Sequence, residues 1–139
     1  MMNDLKRFLE AQETDFETAL AEIRRGRKQS HWMWYIFPQI AGLGFSSTSK
    51  FYAIKDRAEA ENYLAHPLLG KRLIEISNAL LEIEGKTANQ IFGSPDDAKL
   101  KSSMTLFGAF ENTNPVFRKV LDKYFNGAED QRTLELIDV

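Results

Sequence analysis

The sequence predicts an all-α fold: a single compact multi-helix domain over residues 1–139, with one irregular segment rich in aromatic residues and glycine. Apolar residues recur at helical spacing along most of the chain, and residues that cap or stop helices separate these runs. No two alternating apolar segments flank a tight hairpin turn, and the strand–helix–strand rhythm of a parallel sheet is absent. No linker or internal repeat divides the chain, which predicts one domain.

The composition is typical of a globular protein with a packed core. The chain is 43% hydrophobic and contains ten Phe, four Tyr and two Trp. It has no cysteine, which excludes disulfides and thiolate ligands. The formal net charge is −2 with both signs interspersed, so we expect no nucleic-acid partner and no membrane association. The first residues lack the apolar region of a signal peptide, which favours a cytoplasmic location.

Two helices are predicted at the N-terminus. Asn3 is a cap for a short first helix, and residues 14–17 form a capping box for a second. In that box the Thr14 hydroxyl accepts from a first-turn amide while the Glu17 side chain reaches back. Gly26 is the predicted stop.

The same signals recur in the rest of the chain. The clearest helix follows Pro67 and carries an apolar stripe that ends near Gly85. The last strong helix ends near residues 126–127, and the sequence leaves residues 129–139 ambiguous. Helix starts are predicted at Asp56, at His66-Pro67, at the capping box of residues 87–90, at Ser94-Pro95 and at Asn114-Pro115.

The segment at residues 30–39 departs from this pattern. It contains both tryptophans and one of the two histidines, and it is apolar on both faces whether it is read as a helix or as a strand. We therefore expect it to be central and mostly buried. A Pro stop, a Gly-Leu-Gly turn and the four hydroxyl residues 46–49 follow it.

Two interpretations of this region stay open. In the first, the aromatic residues form core and nothing else. In the second, an aromatic wall beside a polar loop forms a ligand pocket, in which exposed amides and hydroxyls hold an anion such as a phosphate. The residues assigned to ligand binding are Trp32, Trp34, Gln39, Gly42, Gly44, Ser46 and Ser47.

A second polar cluster lies between Asp97 and Thr105. An exposed ion pair of Asp97 with Lys101 explains it without any function. In the alternative, Lys101 and Ser103 face the aromatic loop and contact the ligand, and Arg72 offsets ligand charge.

Catalytic and metal chemistry find little support in the residue pattern. His31 is the candidate general acid or base, because the ordinary pKa of histidine lies near neutrality. His31 and His66 lack ligand-like spacing, so no metal site is predicted. No dinucleotide fingerprint or other cofactor motif is present, so no cofactor is predicted.

These residues also carry a resemblance to a known family. The segments 27–39, 42–46, 66–73 and 97–107 resemble those of the bacterial domain-of-unknown-function family 1810. The resemblance implies a mainly α-helical fold in a bacterial protein, and it implies no activity and no catalytic residues. Some members carry the label calpastatin, after a disordered protease inhibitor, whereas the composition of this chain is globular.

The leading hypothesis is a site for a nucleotide or another phosphorylated metabolite, with a hydrolase or transferase reaction if the site is catalytic. The rival is a non-enzymatic interaction module, in which residues 32–37 are core or a docking surface for a protein partner. Nucleic-acid binding is a third interpretation, which the overall charge disfavours.

Overall fold

Nine helices occupy most of residues 5–138, the part of the chain that the computed structural model describes. The predicted cap at Asn3 lies outside these residues. No strand is present in the described part, so the all-α prediction is confirmed. The helices are α1 (Lys6–Arg24), α2 (Met33–Ile36), α3 (Ser47–Tyr52), α4 (Arg57–Ala65), α5 (Leu69–Glu82), α6 (Ala88–Phe92), α7 (Asp96–Gly108), α8 (Val116–Phe125) and α9 (Gln131–Ile137).

A single helix, α1, replaces the two helices predicted at the N-terminus. The Thr14 hydroxyl donates to the Asp15 carboxylate over 3.2 Å instead of capping a helix, so the predicted second start is wrong. Phe8, Phe16 and Ile23 lie on one continuous buried stripe of α1. Burial of this stripe outweighs the local capping preference, because packing decides most helix boundaries.

Several other boundaries are confirmed. Asp56 caps α4 with its side chain, and Thr87 with Gln90 forms the predicted capping box of α6. Beyond α1, Gly26 adopts a φ of +81°, and Asn126 ends α8 in the left-handed conformation.

The helix starts at two prolines differ from the prediction. Pro67 and Pro95 lie outside α5 and α7, which begin two residues and one residue later. At α5, the His66 Nδ1 atom accepts from the amides of Leu68 and Leu69 at 3.1 and 3.2 Å, which satisfies amides that the helix start leaves free. The predicted apolar stripe of α5 is buried at Leu69, Leu73, Ile76 and Leu80.

The core lies where α5 packs against α1, α4 and α8, and where α7 packs against α8. Each large side chain buried there contributes about 1.5–3 kcal/mol through the hydrophobic effect. The aromatic segment joins this core at one side: Trp32, Met33, Ile36 and Phe37 are each at most 2% exposed. The prediction that this segment is mostly buried is confirmed.

The chain between α2 and α4 is irregular apart from the short helix α3. It is held by a single parallel bridge, in which the Ala41 amide donates to the Ile54 carbonyl and the Ile54 amide donates to the Gln39 carbonyl, each over 2.8 Å. The Arg7 guanidinium donates to the carbonyls of Phe51 and Ala53, both at 2.7 Å. These bonds give the loop a defined shape.

Among the helices of residues 5–138, none is both long enough and apolar enough to cross a membrane. The same residues contain no cluster of three or more His, Asp or Glu side chains arranged to hold a metal ion.

Candidate functional site

Two adjoining cavities form a groove between the loop that follows α2 and the first half of α7. Their volumes are about 110 and 360 Å³, and Gln39, Gly44 and Ser49 line both. We call their union the loop–α7 groove. The smaller cavity is also lined by Trp34, Gly42, Lys50 and Tyr52, and the larger also by Leu43, Pro95, Ala98, Lys99, Ser102 and Asp130.

Lys99 and Trp34 place a cation beside an aromatic ring in this groove. The Lys99 ammonium lies 5.4 Å from the centroid of the half-buried Trp34 ring, within the range of a cation–π interaction. Lys99 Nζ also lies 3.5 Å from Asp96 Oδ1. The other oxygen of Asp96 makes a closer ion pair with Lys28, at 2.9 Å. Asp96 thus divides its negative charge between two lysines.

The Asp130 carboxylate, which lines the groove, accepts hydrogen bonds from two hydroxyl groups. Asp130 Oδ2 accepts from the hydroxyl of Ser102 at 2.9 Å and from that of Thr133. The Asp130 amide donates to the Thr105 hydroxyl over 2.9 Å. These bonds connect the start of α9 to α7 and close one end of the groove.

The glycine and serine residues of the loop have specific geometric roles. Ser46 caps α3: its hydroxyl oxygen accepts from the Ser49 amide at 3.1 Å and its hydroxyl donates to Ser49 Oγ over 2.9 Å. A Cβ atom at Gly44 would lie 2.5 Å from the Ser49 Cβ, which is too close for any side chain. Gly42 has a φ of +108°. Ser47 is exposed and does not line the groove.

Trp32 is part of the core and not of the groove. It is 1% exposed, and its Nε1 atom donates to Glu22 Oε1 over 2.9 Å. The same carboxylate accepts from the amides of Gln29 and Ser30 at 2.7 and 2.9 Å and from the Ser30 hydroxyl at 2.6 Å. A buried ring in this environment has no free face on which a ligand can stack, which corrects the role given to Trp32.

The surroundings of Glu22 shift its titration. Burial raises the pKa of the carboxyl, but the hydrogen bonds from Ser30, Gln29 and Trp32 outweigh burial and lower the pKa from 4.5 to about 2. Glu22 is therefore charged in the folded protein at neutral pH and organises the turn that leads into the aromatic segment. Sequence reasoning missed it, because one glutamate on an amphipathic helix carries no local signal.

Two of the predicted site residues lie on the wrong face of α7. Ser103 is fully buried, and its hydroxyl has no hydrogen-bond partner in the described part of the chain. Lys101 is half-buried and does not line the groove. Instead, Lys99 and Ser102 meet the loop. Helical spacing explains which residues of this part of the chain meet the loop. The core stripe consists of Leu100, Ser103, Met104 and Phe107. The residues on the groove side repeat the same spacing and are Pro95, Ala98, Lys99 and Ser102.

His31 and Arg72 also lie apart from the groove. His31 is exposed and is not among the lining residues, which corrects its assignment as the catalytic group of this site. Arg72 lies on α5, where its guanidinium donates to Gln12 over 3.3 Å and lies 5.3 Å from the Phe16 ring centroid. Of the predicted site residues, Trp34, Gln39, Gly42 and Gly44 line the groove, and Ser46 supports it.

Comparisons with known proteins identify a family that the chain resembles and a solved structure with the same fold. The sequence profile of a family described as "Protein of unknown function (DUF1810)" matches residues 2–137. The crystal structure of the conserved hypothetical protein Rv1873 from Mycobacterium tuberculosis is similar over 99% of this chain and 98% of that one, with a TM-score of 0.96 and 46% identity. A search of curated proteins finds no match.

Proposed function

The chain belongs to the DUF1810 family of proteins of unknown function, and we propose that it binds a nucleotide or another small phosphorylated metabolite in the loop–α7 groove. The observation that carries this proposal is the position of the Lys99 ammonium over the Trp34 ring at the groove wall. A cation beside an accessible aromatic face suits a ligand that has a planar or sugar body and an anionic group.

Lys99 retains capacity to bind a ligand anion. Its distance of 3.5 Å from Asp96 exceeds the 2.9 Å distance between Asp96 and Lys28. An incoming phosphate therefore displaces a weak contact while the stronger pair with Lys28 stays in place. Lys50 lines the smaller of the two cavities and supplies a second cation to the groove.

The loop amides add neutral donors. No hydrogen bond within residues 5–138 uses the amides of Gly42 or Gly44 as donor. Both residues line the groove, and main-chain amides in turns are common partners of phosphate oxygens. The space on the Cβ side of the two glycines is taken by Leu136 at Gly42 and by Ser49 at Gly44, so these residues offer a ligand their main-chain amides only.

The proposal is one of binding, and it assigns no catalytic step. The residues that line the groove include no histidine, and the serine hydroxyls that line it are engaged by Ser46 or Asp130. The hydrolase or transferase hypothesis from the sequence depended on His31, which lies elsewhere. The lining residues supply ligand recognition instead.

A thermal-shift screen tests this function. The panel is AMP, UMP, ribose 5-phosphate and inorganic phosphate, with adenosine and ribose as uncharged counterparts. A ligand at about a hundred times its dissociation constant adds about 2.7 kcal/mol of stability and raises Tm by roughly 5–10 °C. We expect a shift with at least one phosphorylated compound and a smaller one with its uncharged counterpart.

Lys99→Gln and Lys101→Gln form a matched pair for this screen. Both remove one positive charge from α7, but only Lys99 lines the groove. The shift is lost in Lys99→Gln and kept in Lys101→Gln. Equal shifts in the two variants, or no shift with any phosphorylated compound, contradict the proposal.

The alternative function is a non-enzymatic interaction module, and it is supported by a surface other than residues 32–37, where the sequence predicts it. Trp32 and Phe37 are each 1% exposed and offer no docking surface, whereas Phe45 and Phe51 are 84% and 59% exposed. Exposed aromatic rings of this kind are common in protein interfaces. Sedimentation velocity over a hundredfold concentration range tests self-association, with Phe45→Ser as the comparison. If the protein is a monomer at every concentration, the result argues against an interaction module that acts by self-association.

A further inference from the structure

A second groove lies on another side of the molecule, between α4, α5 and the connection from α7 to α8. Its volume is about 520 Å³, within the range of small-molecule sites. It shares no lining residue with the loop–α7 groove. Phe110 and Phe117 are buried at its base, and the half-buried Leu64 and Ile74 form its walls.

The rim of this groove is acidic. Glu61 and Glu111 are both exposed, and neither forms an ion pair with any residue between 5 and 138. At the base, the Arg57 guanidinium lies 5.2 Å from the Phe110 ring centroid. Arg57 is paired with Asp138 at 3.8 Å. The negative charge of the two rim carboxylates is therefore not neutralised within the groove.

The connection that forms one wall is held in place by its own hydrogen bonds. The Thr113 hydroxyl donates to the Phe107 carbonyl over 2.6 Å, and Asn114 Oδ1 accepts from the Val116 amide at 2.9 Å. Asn112 adopts a φ of +63°, which turns the chain sharply beside Glu111. The wall exists before any ligand arrives, so ordering it adds no cost to binding.

We propose that this second groove binds a small organic cation, an amine with an aromatic or aliphatic body. The apolar base and walls bury the body, as in other small-molecule sites. The rim carboxylates attract the ammonium group and repel anions. Phosphorylated compounds, the ligands proposed for the loop–α7 groove, are disfavoured here by charge.

Three probes of similar shape separate charge from apolar contact: 2-phenylethylamine, 2-phenylethanol and phenylacetate. Each is titrated into the ¹⁵N-labelled full chain, and shifts are followed at the amides of Leu64, Ile74 and Thr113. A probe of this size binds with a dissociation constant on the order of millimolar. We expect the amine to bind about three- to tenfold more tightly than the alcohol, and phenylacetate to bind most weakly.

The double variant Glu61→Gln/Glu111→Gln removes the rim charge while leaving the apolar walls intact. In it, the amine and the alcohol bind with equal affinity. Glu17→Gln, which removes an exposed carboxylate from α1, keeps the preference for the amine. Equal binding of amine and alcohol to the unaltered protein, tightest binding of phenylacetate, or no movement of these three amides overturns the proposal. None of these results bears on the loop–α7 groove.

Discussion

Glu22 Oε1 lies 2.9 Å from Trp32 Nε1, and this contact joins the longest helix to the aromatic segment. Both residues are at most 3% exposed. The contact explains why a tryptophan beside the groove is structural, while Trp34, two residues later, is accessible. Lys28 reinforces the arrangement, because its ammonium lies 5.1 Å from the Trp32 ring centroid and pairs with Asp96 at the start of α7.

Loss of the Glu22 side chain destabilises the fold. Glu22→Ala leaves the buried Trp32 indole and two partly buried amides, those of Gln29 and Ser30, without an acceptor, which costs about 2–4 kcal/mol. Glu22→Gln keeps one acceptor oxygen and costs less. Urea unfolding measures both values, with Glu17→Gln as an exposed control on the same helix. A cost below about 0.5 kcal/mol for Glu22→Ala contradicts the structural role.

Glu22 also makes stability depend on pH. Its folded pKa of about 2 lies below its ordinary value of 4.5, so its charged form favours folding. The contribution, on the order of 3 kcal/mol, is fully present above the ordinary value and is lost as pH falls toward 2. We expect the difference in unfolding free energy between the unaltered protein and Glu22→Gln to shrink across this window. A constant difference between pH 6 and pH 3 contradicts the shifted pKa.

Gly44 and Ser49 are coupled through their close approach. Gly44→Ala places a methyl group against the Ser49 side chain and destabilises the protein by about 1–3 kcal/mol. In a Ser49→Gly background the obstacle is gone, so the same alanine costs well under about 1 kcal/mol. Urea unfolding of the two single variants and the double variant gives the coupling free energy between positions 44 and 49. Additive costs show that the two residues are not in contact.

The two tryptophans differ in their access to solvent. Trp32 is 1% exposed, whereas Trp34 is half-buried and lies beside a lysine that attracts anions. Iodide therefore quenches mainly Trp34, and Trp34→Phe removes most of the iodide-dependent loss of fluorescence. Steady-state quenching titrations of both proteins measure this. Unchanged quenching in Trp34→Phe contradicts the assignment of Trp34 to the groove wall.

Local signals in the sequence predict much of the fold. The caps at Asp56 and Thr87 and the apolar stripe of α5 are short-range patterns, and the structure follows them. The capping box at residues 14–17 fails because burial of the whole α1 stripe outweighs it. The short helices α2 and α3 carry no periodic pattern, because tertiary contacts of the segment determine them.

The candidate site could be predicted only in part. The loop residues Gln39, Gly42 and Gly44 are recognisable as an irregular polar segment, and they line the groove. Which face of α7 meets that loop depends on packing. Ser103 follows the helical spacing of the stripe that contains Leu100 and Met104, which indicates a core position and not a groove position. The hydrogen bond between Glu22 and Trp32 spans ten positions and has no sequence signature.

Amide mapping of the loop–α7 groove tests the central claim most directly. The ¹⁵N-labelled protein is titrated separately with AMP, ribose 5-phosphate and inorganic phosphate. We predict that at least one of them moves the amides of Gly42, Gly44, Ser49 and Lys99 in a saturable way, and that Lys99→Gln weakens the effect while Lys101→Gln does not. If these amides stay in place with all three compounds, or move equally in both variants, the groove is not an anion-binding site.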